Sequence, residues 1–197
     1  MAKIVLQEFL TLDGVMQGPG GAEEDPSGGF DKGGWQQAYP DATLGRFVLD
    51  GLSGAGCFLL GRRTYDTFAG YWPNQPADGP VSSLMNSKPK YVVSRTLSEP
   101  LSWQNSTLIT GDVVGRLRQL KAEVDGDLVV IGSGDLVQTL MANGLVDQYR
   151  LMVYPVVLGE GKRLFRDAEA IKRLHLTESE TTSVGILLLT YEPEPTG

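Results

Sequence analysis

One cysteine, Cys57, and one histidine, His175, are all that this 197-residue chain offers of the two side chains that most often build zinc sites. A single cysteine forbids an intramolecular disulfide. The same scarcity leaves no donors for a zinc cluster and no Cys–His nucleophilic pair, and a Ser–His–Asp triad could be built only on His175. The zinc deaminase signature needs a cluster of His and Cys, so that activity is excluded. Long apolar runs are also missing: nothing approaches the roughly 18–20 residues that cross a bilayer. The opening "MAKIVLQEFL" is short and meets an acid too early for a secretory signal, so we expect a cytoplasmic protein with no membrane partner. Positive charge is in deficit, with 17 Lys and Arg against 24 Asp and Glu and a net charge of -7. A nucleic acid needs a basic face and is excluded as a bulk partner; a small phosphorylated ligand needs only a few local cations.

What is present is ordinary for a globular protein, at 41% hydrophobic and 21% charged residues. The length fits one domain, residues 1–197, around one core. "KIVLQEFL" (3–10) reads as a strand and leads through "TLDG" into a glycine-dense stretch, 17–34, that suits a functional lid or a disordered loop. In 41–52, Leu44, Phe47, Val48 and Leu52 recur at helical spacing behind Asp41, a natural N-cap. "GCFLLG" (56–61) has the continuous apolar character of a strand buried on both faces, and a helix follows until Pro73. A loop with a short helix occupies 74–87, and "KYVVS" (90–94) and "STLIT" (106–110) read as two more buried strands. Val113, Leu117, Leu120 and Val124 mark a helix over 112–124; a strand (128–131) and a helix (135–143) come next. Segments 148–157, 174–181 and 185–193 are strands, the last two close enough to pair antiparallel. Alternating strand and helix predicts an α/β domain with a mixed, mostly parallel sheet.

Three strand-to-turn junctions carry candidate ligand chemistry. In "LLGRRT" a strand ends at Gly61, and Arg62, Arg63 and Thr64 open a helix whose free N–H groups and dipole suit a phosphate; solvated arginines with a capping threonine are the plain alternative. In "VVSRT", Ser94 and Arg95 leave a strand where open α/β sheets place ligands, and could grip a 2′-phosphate, or could be an ordinary exit. In "LVVIGSGDLVQTLM", Gly132, Ser133 and Gly134 let backbone approach a ligand, while Asp135 could equally cap the following helix. This turn fails as a dinucleotide fingerprint, because Val137 stands at the last glycine of G-x-G-x-x-G; "GLSGAGC" fails as a phosphate-binding P-loop for want of Lys and Ser or Thr.

Taken in order, "LTLDGV", "LLGRRTYDTFAGYWP", "YVVSR", "VVIGSGDLVQTLM" and "VDQYRLMVYPVVLGEGKRLF" resemble the dihydrofolate-reductase-like superfamily. They are most similar to its bacterial single-domain members akin to the C-terminal reductase domain of the bifunctional riboflavin-biosynthesis enzyme. The resemblance implies a three-layer fold, a mostly parallel sheet flanked by helices with a C-terminal antiparallel hairpin. It also implies NADPH, held by Gly61, Arg62, Arg63 and Thr64, by Ser94 and Arg95, and by Gly132, Ser133, Gly134, Asp135 and Leu136. Leu12, Asp13 and Gly14 would lie near the nicotinamide. The implied activity is reduction of a pterin-like or ribosylaminopyrimidine-like heterocycle, with a non-catalytic nucleotide-binding protein as the alternative, and a homodimer is the expected assembly. Asp41 stands where a catalytic carboxylate would be sought and equally as a helix cap, and Trp35 is the aromatic best placed for substrate. Ser133 departs from the triple glycine of many dihydrofolate reductases, whose first two glycines are joined by a cis bond; such a bond costs roughly 3–4 kcal/mol and is not expected here. Cys57 reads as inert core, His175 as structural or exposed, Tyr71 and Trp72 as packing, and Lys162 and Arg163 as substrate contacts or solvated cations.

Overall fold

Alternate side chains of the central strands point to opposite faces, and both faces are buried. In a computed structural model, which describes residues 1–166 and 171–194, the elements run β1 (Ile4–Thr11), α1 (Ala42–Ser53), β2 (Ala55–Gly61), α2 (Arg62–Tyr71), α3 (Pro80–Ser87), β3 (Lys90–Val93), β4 (Ser106–Ile109), α4 (Val113–Glu123), β5 (Asp127–Ile131), α5 (Gly134–Ala142), β6 (Gln148–Tyr154), β7 (Leu174–Thr181) and β8 (Leu187–Pro193). Ile4, Leu6, Cys57, Leu59, Leu128 and Val130 point to one face, where α4 and α5 cover them with Leu117, Leu120, Val137 and Leu140. Val5, Phe58, Leu60, Val92 and Val129 point to the other, under Leu52 of α1, Tyr65 of α2 and Met85 of α3. Each such side chain, fully removed from water, contributes about 1.5–3 kcal/mol. Three layers result, as the resemblance implies.

One sheet joins all eight described strands in the order β4-β3-β2-β5-β1-β6-β8-β7. The strands from β4 to β6 are mutually parallel, and β8 pairs antiparallel with both β6 and β7. One expectation changes. "STLIT" is not a buried strand: β4 lies at the sheet edge with only Ile109 buried. The β3–β4 crossover contains no helix; residues 94–105 cross in irregular backbone, anchored by the fully buried Trp103, whose indole N–H donates to Asn86 Oδ1 at 2.9 Å.

The glycine-dense stretch 17–34 is an ordered loop. Gly34 N donates to Gly18 O, the Trp35 indole donates to Gln17 O, and Glu24 Oε2 accepts from the amides of Gly20 and Gly21. Its two limbs cross so closely that a Cβ on Gly33 would lie 2.6 Å from Gly21 O, so only glycine fits. Lys162 latches the loop to the body, its ammonium donating to Asp25 Oδ2 at 2.5 Å and Ser27 Oγ at 2.6 Å.

Candidate functional site

Because β3, β2, β5 and β1 are consecutive and parallel, their C-terminal ends open on one edge of the sheet. That edge collects the three junctions. Gly61 N donates to Ser133 Oγ at 2.8 Å, and Ser133 N donates to Thr64 Oγ1 at 3.0 Å, so the heads of α2 and α5 are knitted together. Gly132 (φ 59) and Ser133 (φ 64) both lie in the left-handed region, and a Cβ on Gly132 would stand 3.3 Å from Thr64 Oγ1. The glycine here serves the corner and the close approach together. The Gly132–Ser133 bond is trans.

The helices differ in how they begin: α1 and α4 are capped by the carboxylates of Asp41 and Asp112, whereas α2 at Gly61, α3 at Gly79 and α5 at Ser133 have no side-chain cap. Of the uncapped three, α2 and α5 are the pair joined at these junctions. Their first-turn N–H groups therefore remain available to an anion. Arg62 reaches across from α2 to Thr96 Oγ1 at 3.2 Å, tying the second junction to the first, while Arg63 and Arg95 are exposed and without an ion pair among the described residues. Uncapped helix heads and unpaired guanidinium groups fit a polyanionic dinucleotide.

Other sequence-predicted residues have different employment. The Ser94 hydroxyl accepts from the amides of Thr96 and Leu97, both at 3.1 Å, so it shapes the turn that presents Arg95. Leu136 sends its side chain into the core, and Asp135 pairs with Arg166 at 3.3 Å. Leu12 is exposed at the end of β1. Asp13 binds the 158–163 segment, accepting from the amides of Leu158 and Gly159 and pairing with Arg163. Partial desolvation works to raise its pKa, but the hydrogen bonds from Thr11, Gly159 and Leu158 outweigh it and hold the carboxyl at about 2. Lys162 and Arg163 are thus a latch and a partner of Asp13.

Asp41 spends both oxygens: Oδ1 accepts from Thr43 N and Leu44 N, and Oδ2 accepts from Ser183 N and its hydroxyl. Trp35 is buried edge-on against Tyr154, with ring centroids 5.2 Å apart. Cys57 is buried, which pushes its thiol up to about 12, and His175 is exposed on β7. A cleft of about 490 Å³ lies between the loop and the head of α2, lined among others by Gln17, Gly28, Gly29, Phe30, Arg63 and Lys162. Its volume suits a small heterocycle.

Sequence reasoning passed over Glu8. It sits on the central strand β1 with 2% of its surface exposed, and among the described residues Oε2 has no hydrogen-bond partner. Among the same residues Oε1 accepts only from the amide of its own neighbour Phe9, at 3.3 Å. Burial pushes the carboxyl up to about 8, more than the bond from the Phe9 amide and the nearby Gly132 N–H dipole offset. The signal was present: "QE" interrupts the apolar run of "KIVLQEFL" at a strand that packing buries on both faces.

Comparison with known proteins converges on one family. The model described as RibD C-terminal domain matches residues 2–188. An uncharacterised protein of Bacillus subtilis (strain 168), YyaP, is 31% identical over 192 residues, covering 96% of this chain and 94% of that one. Among solved structures, a putative riboflavin biosynthesis protein from Shewanella sp. PV-4 superposes with a TM-score of 0.76 at 22% identity, covering 99% of this chain and 100% of its own. A pyrimidine reductase-like protein from Corynebacterium diphtheriae gives 0.69 at 11% identity, with 99% and 93% covered. A diaminohydroxyphosphoribosylaminopyrimidine deaminase/5-amino-6-(5-phosphoribosylamino)uracil reductase from Thermotoga maritima gives 0.65 at 14% identity, with 98% of this chain matched to 57% of that one.

Proposed function

This chain belongs to the RibD C-terminal domain family, and from that premise we propose that it is an NADPH-dependent reductase of a pterin-like or ribosylaminopyrimidine-like heterocycle. One observation carries the reading: the uncapped heads of α2 and α5, joined through Gly61, Thr64 and Ser133, share an edge with Arg62, Arg63 and Arg95. When bound, NADPH supplies the hydride. The helix heads orient the diphosphate through backbone N–H groups, and Arg95, presented by the Ser94 turn, meets the 2′-phosphate with a guanidinium fork. The ordered 17–34 loop forms the far wall of the cleft and excludes water from the reacting pair.

Titration of NADPH and NADH, followed by tryptophan fluorescence, tests the assignment. NADPH is expected to bind at least tenfold more tightly, and Arg95→Ala is expected to shrink the preference to about threefold or less, since one charge-assisted contact contributes about 1.5–3 kcal/mol. Equal affinity for the two dinucleotides in the unaltered protein removes the 2′-phosphate site.

A further inference from the structure

β1 outruns its neighbour. The β1–β5 ladder ends at Gln7↔Ile131, while pairing with β6 continues to Thr11↔Tyr154. Backbone groups alternate in direction along a strand: Lys3 O accepts from Leu128 N on the β5 side, and Ile4 O accepts from Asp147 N on the β6 side. The Phe9 amide therefore faces the β5 side, past the point where β5 has turned away at Gly132. In that notch lies the Glu8 carboxyl, bonded to Phe9 N through one oxygen and, within the described residues, without a partner at the other. A carboxylate so buried, with no cation paired to it among the described residues, is driven toward its neutral form by desolvation.

Charged groups on the surrounding elements do not relieve this. The 17–34 loop brings Glu24, whose negative charge acts against ionisation of Glu8. At the head of α5, Asp135 is taken by Arg166, and beyond the end of β1, Asp13 is taken by Arg163. The head of α2 contributes Arg62, engaged with Asp66 and Thr96, and Arg63, on the cleft. Arg150 of β6 donates to Phe47 O and stacks on the Phe47 ring, on the α1 side of the sheet.

We propose that Glu8 is the proton-carrying acid of the cofactor site, loaded with a proton as the dinucleotide settles on the Gly132–Gly134 turn. This rests on the reading of the chain as an NADPH-dependent reductase. An anionic diphosphate placed over the turn disfavours the carboxylate beneath it, so binding and protonation of Glu8 reinforce each other. During reduction the substrate carbon receives the hydride, and the adjoining nitrogen or oxygen receives the proton from the Glu8 carboxyl. Glu8 is left as carboxylate, the cofactor as NADP⁺, and the carboxylate regains a proton from solvent. The burial of Glu8 thereby supplies a weak acid matched to neutral pH, as general acid catalysis requires.

Calorimetry of NADPH binding at pH 8.5, repeated in buffers of different ionisation enthalpy, counts the protons taken up. The ligand's phosphates are fully ionised there, so uptake reports the protein. The wild-type protein is expected to take up more than about half a proton per NADPH and to lose about three- to tenfold in affinity between pH 7 and pH 9. Glu8→Gln is expected to bind NADPH at pH 7 within about threefold of wild type, with neither the uptake nor the pH dependence. Tight NADPH binding by the wild-type protein with no proton uptake overturns the role of Glu8, whether or not the variant folds. Uptake that persists in Glu8→Gln overturns it as well. Absence of NADPH binding at every pH refutes the reductase reading, and the proposal for Glu8 falls with it.

Discussion

Lys90 is wholly buried at the start of β3, and its ammonium does work that water would otherwise do. Nζ donates to Met85 O at 2.9 Å and Asn86 O at 3.1 Å, closing the C-terminal carbonyls of α3, and lies 4.3 Å from the centroid of the Trp103 ring. Desolvation lowers its pKa from 10.5 to about 8. The sign follows from proton counting. Below pH 8 folded and unfolded chains both carry the proton, and the burial penalty is constant. Between 8 and 10.5 the unfolded chain keeps the proton that the folded chain releases, so stability rises with pH. Denaturant melts of the wild-type protein are expected to gain up to about 3 kcal/mol across that window relative to Lys90→Met, which cannot titrate there. A flat difference between the two proteins would show that the ammonium is not desolvated. Lys90 also marks a limit of legibility. "KYVVS" reads as an apolar strand with a polar first residue, and nothing local says that Trp103 and the end of α3 close over it.

At the scale of elements, local pattern and distant contact part company. Continuous burial in β1, β2 and β5 follows from the sequence, because predominantly apolar runs fit strands covered on both faces of a sheet. The end strand β4 was not legible: "STLIT" differs little from a buried strand, and edge position depends on topology. The glycine turns were visible because unusual backbone demands glycine. The Ser133–Thr64 bond, linking residues 69 apart in sequence, was not, and Asp41 could not be told as cap or ligand until Ser183 was seen to occupy its second oxygen. The loop 17–34 carries its own prediction. It is attached to the body through Lys162, with Gln17 accepting from Lys162 N at 3.0 Å, and through Lys32, which donates to Leu158 O and pairs with Glu160. Lys162→Met removes two charge-assisted bonds and leaves the backbone pairing of the loop. Hydrogen exchange is expected to quicken by tenfold or more in residues 17–34, at about 1.5–3 kcal/mol per bond lost, with β1, β2 and β5 unchanged. Uniform acceleration in the core strands would mean that the latch is part of the global fold.

For the whole molecule, the proposed function requires an acidic chain of net charge -7 to bind a polyanion. The summed field repels the ligand, so affinity has to come from short-range contacts at one edge, where Arg62, Arg63 and Arg95 stand beside two uncapped helix heads. The two contributions respond differently to salt. Screening over a Debye length of about 8 Å at physiological ionic strength weakens the long-range repulsion and the exposed arginine contacts together, while backbone N–H bonds to phosphate within the turn are affected least. Bound ligand stabilises the fold by about 2.7 kcal/mol at a concentration of 100 times Kd, which in a domain of this size raises Tm by several degrees. NADPH is therefore expected to raise Tm at low salt and to keep more than half of that rise at about 0.5 M NaCl, where attraction carried by surface arginines alone would be mostly lost. Arg63→Ala and Arg95→Ala together are expected to leave a smaller rise that added salt does not reduce, since backbone donors remain and salt screens the repulsion of the acidic chain. A rise in the wild-type protein that disappears altogether at high salt would place the binding energy in the exposed guanidinium groups, and would deny the helix heads the role that their missing caps assign them.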